Sequence, residues 1–313
     1  MTFTEKKDAL FTEKRDALRK KLEQLASGHI ALAFSGGVDS SLLLFMCCEA
    51  AKKTGKKVHA VTIHTRLHPV KDLETAARVA AEAGARVTTA AGPAALAEPG
   101  AAAGAEAGSA AGAASVVEHH VLYLDELEEA GIRFNPVDRC YLCKKCLFQK
   151  LIGKAEALGA RTVLDGTNAD DLKVYRPGIR ALHELGVISP LAELNITKAE
   201  VRQLAAEYGL SVSGRPSTPC MATRFPYGTE LDYDRIRLVD QGETWLRDQG
   251  FYNVRLRVHG RVARIEVDPE SMPALVAMRE KVLQKMAGCG FDYVTLDLAG
   301  FRSGSMDLHL DRA

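Results

Sequence analysis

The chain has 313 residues, of which 47% are hydrophobic and 26% are charged, and its formal net charge is +1. This length suggests about two domains, and the near-neutral charge makes nucleic acid an unlikely partner class. The sequence has no apolar run of about 18 residues and no signal-like N-terminus, so no membrane association is expected. We predict a cytoplasmic protein whose seven cysteines are thiols, metal ligands or catalysts rather than disulfides.

The N-terminal segment, residues 1–28, is predicted to form a helix that precedes the first domain. It contains a near-duplication, in which residues 3–10 are followed by a similar stretch at 11–18. One repeat of this length does not make a repeat protein. An apolar stripe at helical spacing then leads to the first strand.

A glycine-containing turn follows the first predicted strand, residues 29–34. The turn reads Ser-Gly-Gly-Val-Asp-Ser over residues 35–40, and an apolar run typical of a buried helix begins at Leu42. Glycines allow close approach of the backbone to a ligand, and the start of a helix attracts anions. The spacing matches neither G-x-x-x-x-G-K-[ST] nor G-x-G-x-x-G. It predicts a phosphate-binding turn, with an ordinary strand–helix turn as the alternative.

Strands and helices alternate through the rest of the first domain, which we place at residues 29–228. The predicted elements are a strand at 58–64, a helix at 71–83, a strand at 119–124, a helix starting near Arg139, a strand at 161–164 and a helix at 198–208. Such alternation predicts an α/β fold with a doubly wound parallel sheet. Residues 88–115 are nearly all Ala, Gly, Glu and Pro, which predicts a disordered insertion.

Two groups of polar residues are expected to meet at the ligand-binding edge of this sheet. Ser35 to Ser40 and Gly166 to Asp171 each follow a predicted strand, and ligands of doubly wound sheets bind beyond the carboxyl ends of the strands. The paired histidines His119 and His120 begin another strand, where we expect surface residues rather than metal ligands.

The C-terminal part, residues 229–313, changes to an α+β pattern and is predicted to be a second, smaller domain. Its elements are a helix to Asp248, strands at 253–259 and 261–267, a helix ending at Met286 and a strand at 293–298. Arg255 and Arg257 alternate along one strand and therefore share a face. Two arginines on one face suit a phosphate group, although a solvated strand face is the alternative.

Four cysteines form the second candidate site. Cys140, Cys143 and Cys146 have helical spacing, and Cys220 lies in a proline-flanked loop. Three thiolates can hold a 4Fe–4S cluster with one open iron, and four can hold zinc. A redox pair is a further alternative. The neighbouring Arg139, Lys144 and Lys145 would favour thiolates, whereas Cys47, Cys48 and Cys289 have the surroundings of structural residues.

The motifs together resemble the LarE-type sulfur transferases of the PP-loop ATP pyrophosphatase superfamily, which act in the synthesis of a nickel-pincer nucleotide cofactor. The resemblance covers most of the chain in the family's order. The segments that match the family pattern are residues 35–40, 135–144, 165–171, 176–178, 189–191, 220–228 and 263–267. The segment 88–115 has no counterpart in this pattern.

The resemblance implies that ATP adenylylates a carboxylate of a pyridinium dicarboxylate mononucleotide, that pyrophosphate leaves, and that sulfur then gives a thiocarboxylate. Mg²⁺ is expected to neutralise phosphate charge. By motif position, ATP is held by Ser35, Gly36, Gly37, Asp39, Ser40, Gly166, Thr167 and Asn168. The substrate phosphate is assigned to Arg255 and Arg257, and catalysis to Asp39 and Cys220.

The resemblance leaves two sources of sulfur. In one branch Cys220 gives up its own sulfur and becomes dehydroalanine. In the other branch Cys140, Cys143 and Cys220 hold a 4Fe–4S cluster whose bound sulfide is transferred. The three cysteines favour the cluster branch, although Cys146 could act as a fourth ligand and close the site.

The remaining expectations concern partners and other functions. Relatives suggest a homo-oligomer, and Glu243 and Glu266 match carboxylates that bind metal at subunit junctions in some of them. A PP-loop tRNA thiolase and a non-catalytic ATP-binding sensor are the alternative functions. The tRNA thiolase would need an RNA footprint that the net charge does not provide; the sensor would not need the cysteines.

Overall fold

The structure is a computed structural model that describes residues 3–84, 86–89, 115–215 and 219–302. Most of the predicted insertion at 88–115 therefore lies outside the described residues. The chain divides into two compact units. The first unit comprises Met1–Thr65, Val70–Gly131 and Cys140–Ser217, and the second comprises Arg66–Pro69, Ile132–Arg139 and Thr218–Ala313. The domain boundaries drawn from the sequence, at 28/29 and 228/229, remain predictions.

Strands and helices of the first unit alternate as the sequence predicts. The strands are β1 (Ile30–Ala33), β2 (Val58–Thr65), β3 (Arg86–Thr89), β4 (Val117–Leu124) and β5 (Thr162–Leu164). The helices are α1 (Phe3–Leu25), α2 (Val38–Thr54), α3 (Val70–Glu82), α4 (Glu126–Glu129), α5 (Arg139–Ala157), α6 (Pro177–Glu184), α7 (Pro190–Glu193) and α8 (Lys198–Glu207). The near-duplicated segment forms part of the single helix α1.

These five strands form one sheet in the order β3-β4-β2-β1-β5. Every neighbouring pair is parallel, with Ile30 beside both Val58 and Thr162. All strands therefore end at the same edge of the sheet, where the loop after β1 and the loop after β5 begin. This arrangement confirms the predicted α/β fold with a doubly wound parallel sheet.

Apolar side chains cover both faces of the sheet. On one face, Leu32 and Ala60 pack with residues of α1, α2, α3 and α8 in a core that includes Leu22 and Leu43. On the other face, Ala31 and its neighbours pack against α5 and α6. Burial of apolar surface on both faces is what fixes a parallel sheet between two helical layers.

The histidine pair is buried, so the prediction of surface residues at this place is wrong. His119 is 0% and His120 is 6% exposed. Because β4 lies inside a sheet covered on both faces, even the polar residues at its start are enclosed. Cys47 and Cys48 are also buried, in α2. Burial and the neighbouring Cys48 raise the pKa of Cys47, and burial raises the pKa of Cys48 to about 12.

The second unit contains a three-stranded sheet in the order β6-β7-β8. Its elements are α9 (Tyr233–Asp248), β6 (Val254–His259), β7 (Val262–Val267), α10 (Met272–Ala277), α11 (Arg279–Gly288) and β8 (Tyr293–Leu296). Strands β6 and β7 are antiparallel, whereas β7 and β8 are parallel. The helix expected to end at Met286 is divided into α10 and α11, which meet at Met278.

No helix in the described ranges is both long enough and apolar enough to cross a membrane.

Candidate active site

The turn between β1 and α2 is stabilised by hydrogen bonds between its two serines, Ser35 and Ser40. The hydroxyl oxygens of Ser35 and Ser40 lie 3.2 Å apart, and the Ser35 N–H donates to Ser40 Oγ at 3.3 Å. The Gly37 N–H donates to Ser35 Oγ at 3.3 Å, and Gly37 precedes α2 with extended backbone and no side-chain cap. The first turn of α2 therefore presents its backbone N–H groups without a capping side chain, as an anion site requires.

Two glycines are needed where this turn meets its neighbours. Gly36 has φ +67°, and a Cβ there would lie 2.7 Å from the Cα of Ala76. A Cβ on Gly166 would lie 3.1 Å from the Ser40 nitrogen and 3.2 Å from the Asp39 Cβ. The loop after β5 consequently packs directly on the start of α2, so the structure brings together the two loops that the sequence placed at one edge.

Asp39 is the point at which three segments of the first unit converge. Its carboxylate forms an ion pair with Lys198 and accepts a hydrogen bond from Asn168 Nδ2 at 3.1 Å. Lys198 is the first residue of α8, and its backbone N–H donates to Asp170 Oδ2 at 2.9 Å. The sequence reasoning did not identify Lys198, because 158 residues separate it from Asp39 and no local motif marks it.

Arg215 is a second residue near the turn that sequence reasoning missed. Its Nη1 donates to the Gly36 carbonyl at 3.2 Å, and its Nη2 lies 2.6 Å from Asp72 Oδ1 at the start of α3. The guanidinium thus ties the glycine turn to the neighbouring helix. Only the folded topology reveals this contact, since the three residues lie far apart in the chain.

The loop after β5 is fixed through Asp165. Its carboxylate accepts hydrogen bonds from Thr167 Oγ1 at 2.6 Å and from Ser189 Oγ at 2.5 Å. The Asn168 side-chain oxygen accepts from the Asp170 N–H at 2.9 Å. Thr167 therefore uses its hydroxyl to shape the loop.

Three of the predicted sulfur-site cysteines lie on α5 of the first unit. Cys140 is exposed, whereas Cys143 and Cys146 are half-buried. Burial and the nearby Glu129 raise the pKa of Cys146, which disfavours its thiolate. Lys145 pairs with Glu184 at 3.0 Å, and Arg139 donates to Asn135. Lys145 and Arg139, two of the three cations expected to favour thiolates, thus have partners other than the cysteines.

Cys220 belongs to the second unit and is half-buried. It precedes a short 3-10 helix, Met221–Arg224, and its carbonyl accepts from Thr223 Oγ1 at 2.8 Å. Arg224 Nη1 also donates to this carbonyl, at 3.3 Å. These hydrogen bonds to the backbone hold the loop, and the Cys220 thiol is not in a disulfide.

The two strand arginines of the second unit have different environments. Arg257 makes two hydrogen bonds to Glu266, at 3.1 and 3.0 Å, and a third to the Thr223 carbonyl at 2.6 Å. Arg255 donates to the Val254 carbonyl at 2.7 Å and lies over the Phe301 ring. Within the described ranges no carboxylate pairs with Arg255. Burial, and then the charge of Arg224, lower the pKa of Arg255 to about 10. A bound anion would stabilise the charged guanidinium and raise this pKa again.

Glu243 and Glu266, the two predicted metal-binding carboxylates, are both buried against arginines. Glu243 accepts from Arg224 Nε and Nη2, both at 2.8 Å, and from the Leu256 N–H at 2.9 Å. Burial alone would raise the pKa of Glu243, but the charge and hydrogen bonds of Arg224 hold it below its usual value. The observed role of Glu243 is to neutralise a buried guanidinium, and its metal role remains a prediction.

We expect Glu243→Gln to destabilise the second unit by about 3–5 kcal/mol, because Arg224 is 1% exposed and would be left as an uncompensated buried charge. Denaturant unfolding followed by a probe in this unit measures the loss. Glu280→Gln is the matched control, since Glu280 is 85% exposed and should change stability by less than about 0.5 kcal/mol. Equal stability of the two variants would contradict a structural role for the buried pair.

Comparison with known proteins agrees with this geometry. The family model of asparagine synthase matches residues 14–114. The chain is 33% identical over 284 residues to the pyridinium-3,5-bisthiocarboxylic acid mononucleotide synthase of Lactiplantibacillus plantarum, with 91% of each chain covered. It is 35% identical over 297 residues to an uncharacterized protein of Synechocystis sp., covering 93% of this chain and 98% of that protein. An uncharacterized protein of Methanocaldococcus jannaschii is 32% identical over 169 residues.

A glycine turn that joins the first strand of a parallel sheet to a helix, with a second loop packed against it, defines the phosphate site of a PP-loop ATP pyrophosphatase fold. The extent of the similarity to the synthase makes the assignment more specific. The chain belongs to the LarE-type family of ATP-dependent sulfur transferases within that superfamily. The resemblance found in the sequence motifs is thereby confirmed at the level of the family.

Proposed function

We propose that the enzyme adenylylates the carboxylates of a pyridinium dicarboxylate mononucleotide and converts them to thiocarboxylates for nickel-pincer nucleotide synthesis. The observation that carries the proposal is the convergence of Lys198 and Asn168 on Asp39 at the phosphate turn. The similarity to a synthase named for the bisthiocarboxylic acid product supports the choice of substrate.

The reaction has two balanced steps. A carboxylate oxygen attacks the α-phosphorus of ATP, the bond to the β-phosphate breaks, and pyrophosphate leaves with the bonding electrons. A sulfur nucleophile then attacks the carbonyl carbon of the acyl adenylate, and AMP leaves with the former carboxylate oxygen. The enzyme has to bind pyrophosphate as it forms and to bring both reactants together.

The residues of the first unit supply the groups for the first step. Backbone N–H groups at the start of α2, with Ser35 and Ser40, bind phosphate oxygens. Lys198 contributes positive charge beside the phosphates, and Asn168 fixes the Asp39 carboxylate. A carboxylate beside phosphates is unfavourable by itself, so we assign Asp39 as a ligand of Mg²⁺, which when bound neutralises phosphate charge.

For sulfur delivery we propose that Cys140, Cys143 and Cys220 hold a 4Fe–4S cluster. Their donor set fits such a group, since all three are thiols outside disulfides, Cys140 is exposed, and Cys143 and Cys220 are half-buried. When bound, the cluster would present sulfide on its open iron. The raised pKa of Cys146 makes it a poorer fourth ligand. The alternative within the same function is transfer of the Cys220 sulfur itself.

The substrate assignment predicts a specific effect at Arg255. Arg255→Gln is expected to raise the KM for the mononucleotide about 10- to 100-fold with little change in kcat, because one charge-assisted bond to the phosphate is lost. AMP formation is measured against the concentration of mononucleotide and of its dephosphorylated nucleoside.

The nucleoside should show a similarly raised KM with the wild-type enzyme and no further increase with Arg255→Gln. Arg261→Gln is the control, since Arg261 is 73% exposed in the same unit. AMP formation that does not depend on the mononucleotide would contradict the proposed function. An equal KM of the wild-type enzyme for both substrates would contradict only the assigned role of Arg255.

A further inference from the structure

Three potential metal ligands meet on one face of the first-unit sheet, away from both candidate sites. His59 is the second residue of β2 and lies beside Glu118, the second residue of β4, with His120 two residues further on. His59 Nδ1 lies 3.3 Å from His120 Nε2 and 3.5 Å from Glu118 Oε2. His120 Nε2 lies 3.6 Å from the same carboxylate oxygen.

These three distances match the spacing of ligands around one ion. Bonds of about 2.0–2.1 Å to a tetrahedral ion place its ligand atoms roughly 3.3–3.4 Å apart. With three protein ligands, a tetrahedral ion keeps a fourth position for water or another ligand. Two imidazoles and one carboxylate are a donor set typical of zinc.

Lys57 orients the Glu118 carboxylate. It pairs with the other carboxylate oxygen, Oε1, and so leaves Oε2 for an ion.

Burial and charge limit which ion can bind. The side chains of His59 and His120 are 4% and 7% exposed, whereas the Glu118 side chain is 21% exposed and provides an approach for the ion. Lys57 and Lys154 bring positive charge near the imidazoles. An ion that binds imidazole strongly is therefore required, which favours Zn²⁺ over Mg²⁺.

We propose that His59, Glu118 and His120 form a binding site for a divalent ion of the zinc class. The ion would link β2 to β4 at the edge where the strands begin, which is the edge opposite the phosphate turn. No step of the proposed sulfur transfer uses these residues, so the site is independent of that function.

Zinc binding by the full-length chain tests the proposal. Because thiolates in general also bind zinc, the titration uses chelator-treated protein carrying Cys140→Ser, Cys143→Ser and Cys220→Ser. We expect about one Zn²⁺ per chain and a rise in Tm with zinc concentration. Adding Glu118→Gln or His120→Gln should weaken binding at least about 10-fold, whereas His64→Gln, on the same strand as His59, should not.

A second measurement uses the unaltered chain. Nitrogen NMR of the histidine rings should show that Zn²⁺ shifts His59 Nδ1 and His120 Nε2 and leaves the ring nitrogens of His64 unchanged. The proposal is overturned if zinc leaves both cluster nitrogens unshifted, or if Glu118→Gln and His120→Gln bind zinc as tightly as the His64→Gln control.

Discussion

Asp39→Ala is expected to reduce the rate of AMP formation by about 10²- to 10³-fold or more, while the protein remains folded. The carboxylate joins Lys198 to Asn168 at the phosphate turn, so its loss removes the group assigned to Mg²⁺ and releases both partners. The cost in stability is small, because an acidic residue in the first turn of a helix contributes only about 0.3–1 kcal/mol.

Two further variants make this prediction specific. Asp39→Asn keeps an oxygen that can accept from Asn168 but removes the negative charge, so it should be nearly as defective as Asp39→Ala if charge is what matters. Asp16→Ala, at a position 57% exposed on α1, is the control and should retain full activity. A rate within twofold of the wild type for Asp39→Ala would exclude the assigned role.

Cys220→Ser is expected to stop thiocarboxylate formation without stopping AMP formation. The variant leaves the phosphate turn intact, so the acyl adenylate should form and then be hydrolysed by water to AMP and the original carboxylate. Mass spectrometry of the mononucleotide and assay of AMP measure the two events separately. Cys289→Ala, which removes a buried thiol of the same unit, should preserve both.

The mass of the protein then distinguishes the two sulfur sources. Sacrifice of the Cys220 sulfur leaves dehydroalanine and a loss of about 34 Da after one turnover. Transfer from a cluster leaves the protein mass unchanged and requires about four irons per chain in protein purified without oxygen. Thiocarboxylate formed by Cys220→Ser at the wild-type rate would remove Cys220 from both routes.

The sequence predicted the fold and the phosphate turn because both depend on local patterns. An apolar strand, two glycines and a buried helix follow one another directly in the chain, and the same alternation recurs through the first unit. Residues 166–168 could be placed beside the turn from topology alone, since parallel strands end at one edge.

The contacts that complete the site could not be predicted in this way. Lys198 and Arg215 reach the turn from distant segments, and nothing in their local sequence distinguishes them from surface cations. The burial of His119 and His120 could not be predicted either. Polar residues at the start of a strand do not show that helices cover both faces of the sheet. Likewise, the pairing of Arg257 with Glu266 depends on the register of β6 and β7.

Oxygen transfer from the substrate carboxylate to AMP tests the central proposal most directly. The mononucleotide, labelled with ¹⁸O in its carboxylates, is incubated with the enzyme and ATP, and the AMP is analysed by mass spectrometry. If the carboxylate is adenylylated and sulfur then displaces AMP, each thiocarboxylate formed should be matched by one AMP that carries ¹⁸O, with release of pyrophosphate. Unlabelled AMP, or ADP and phosphate as the products of ATP, would contradict the proposal.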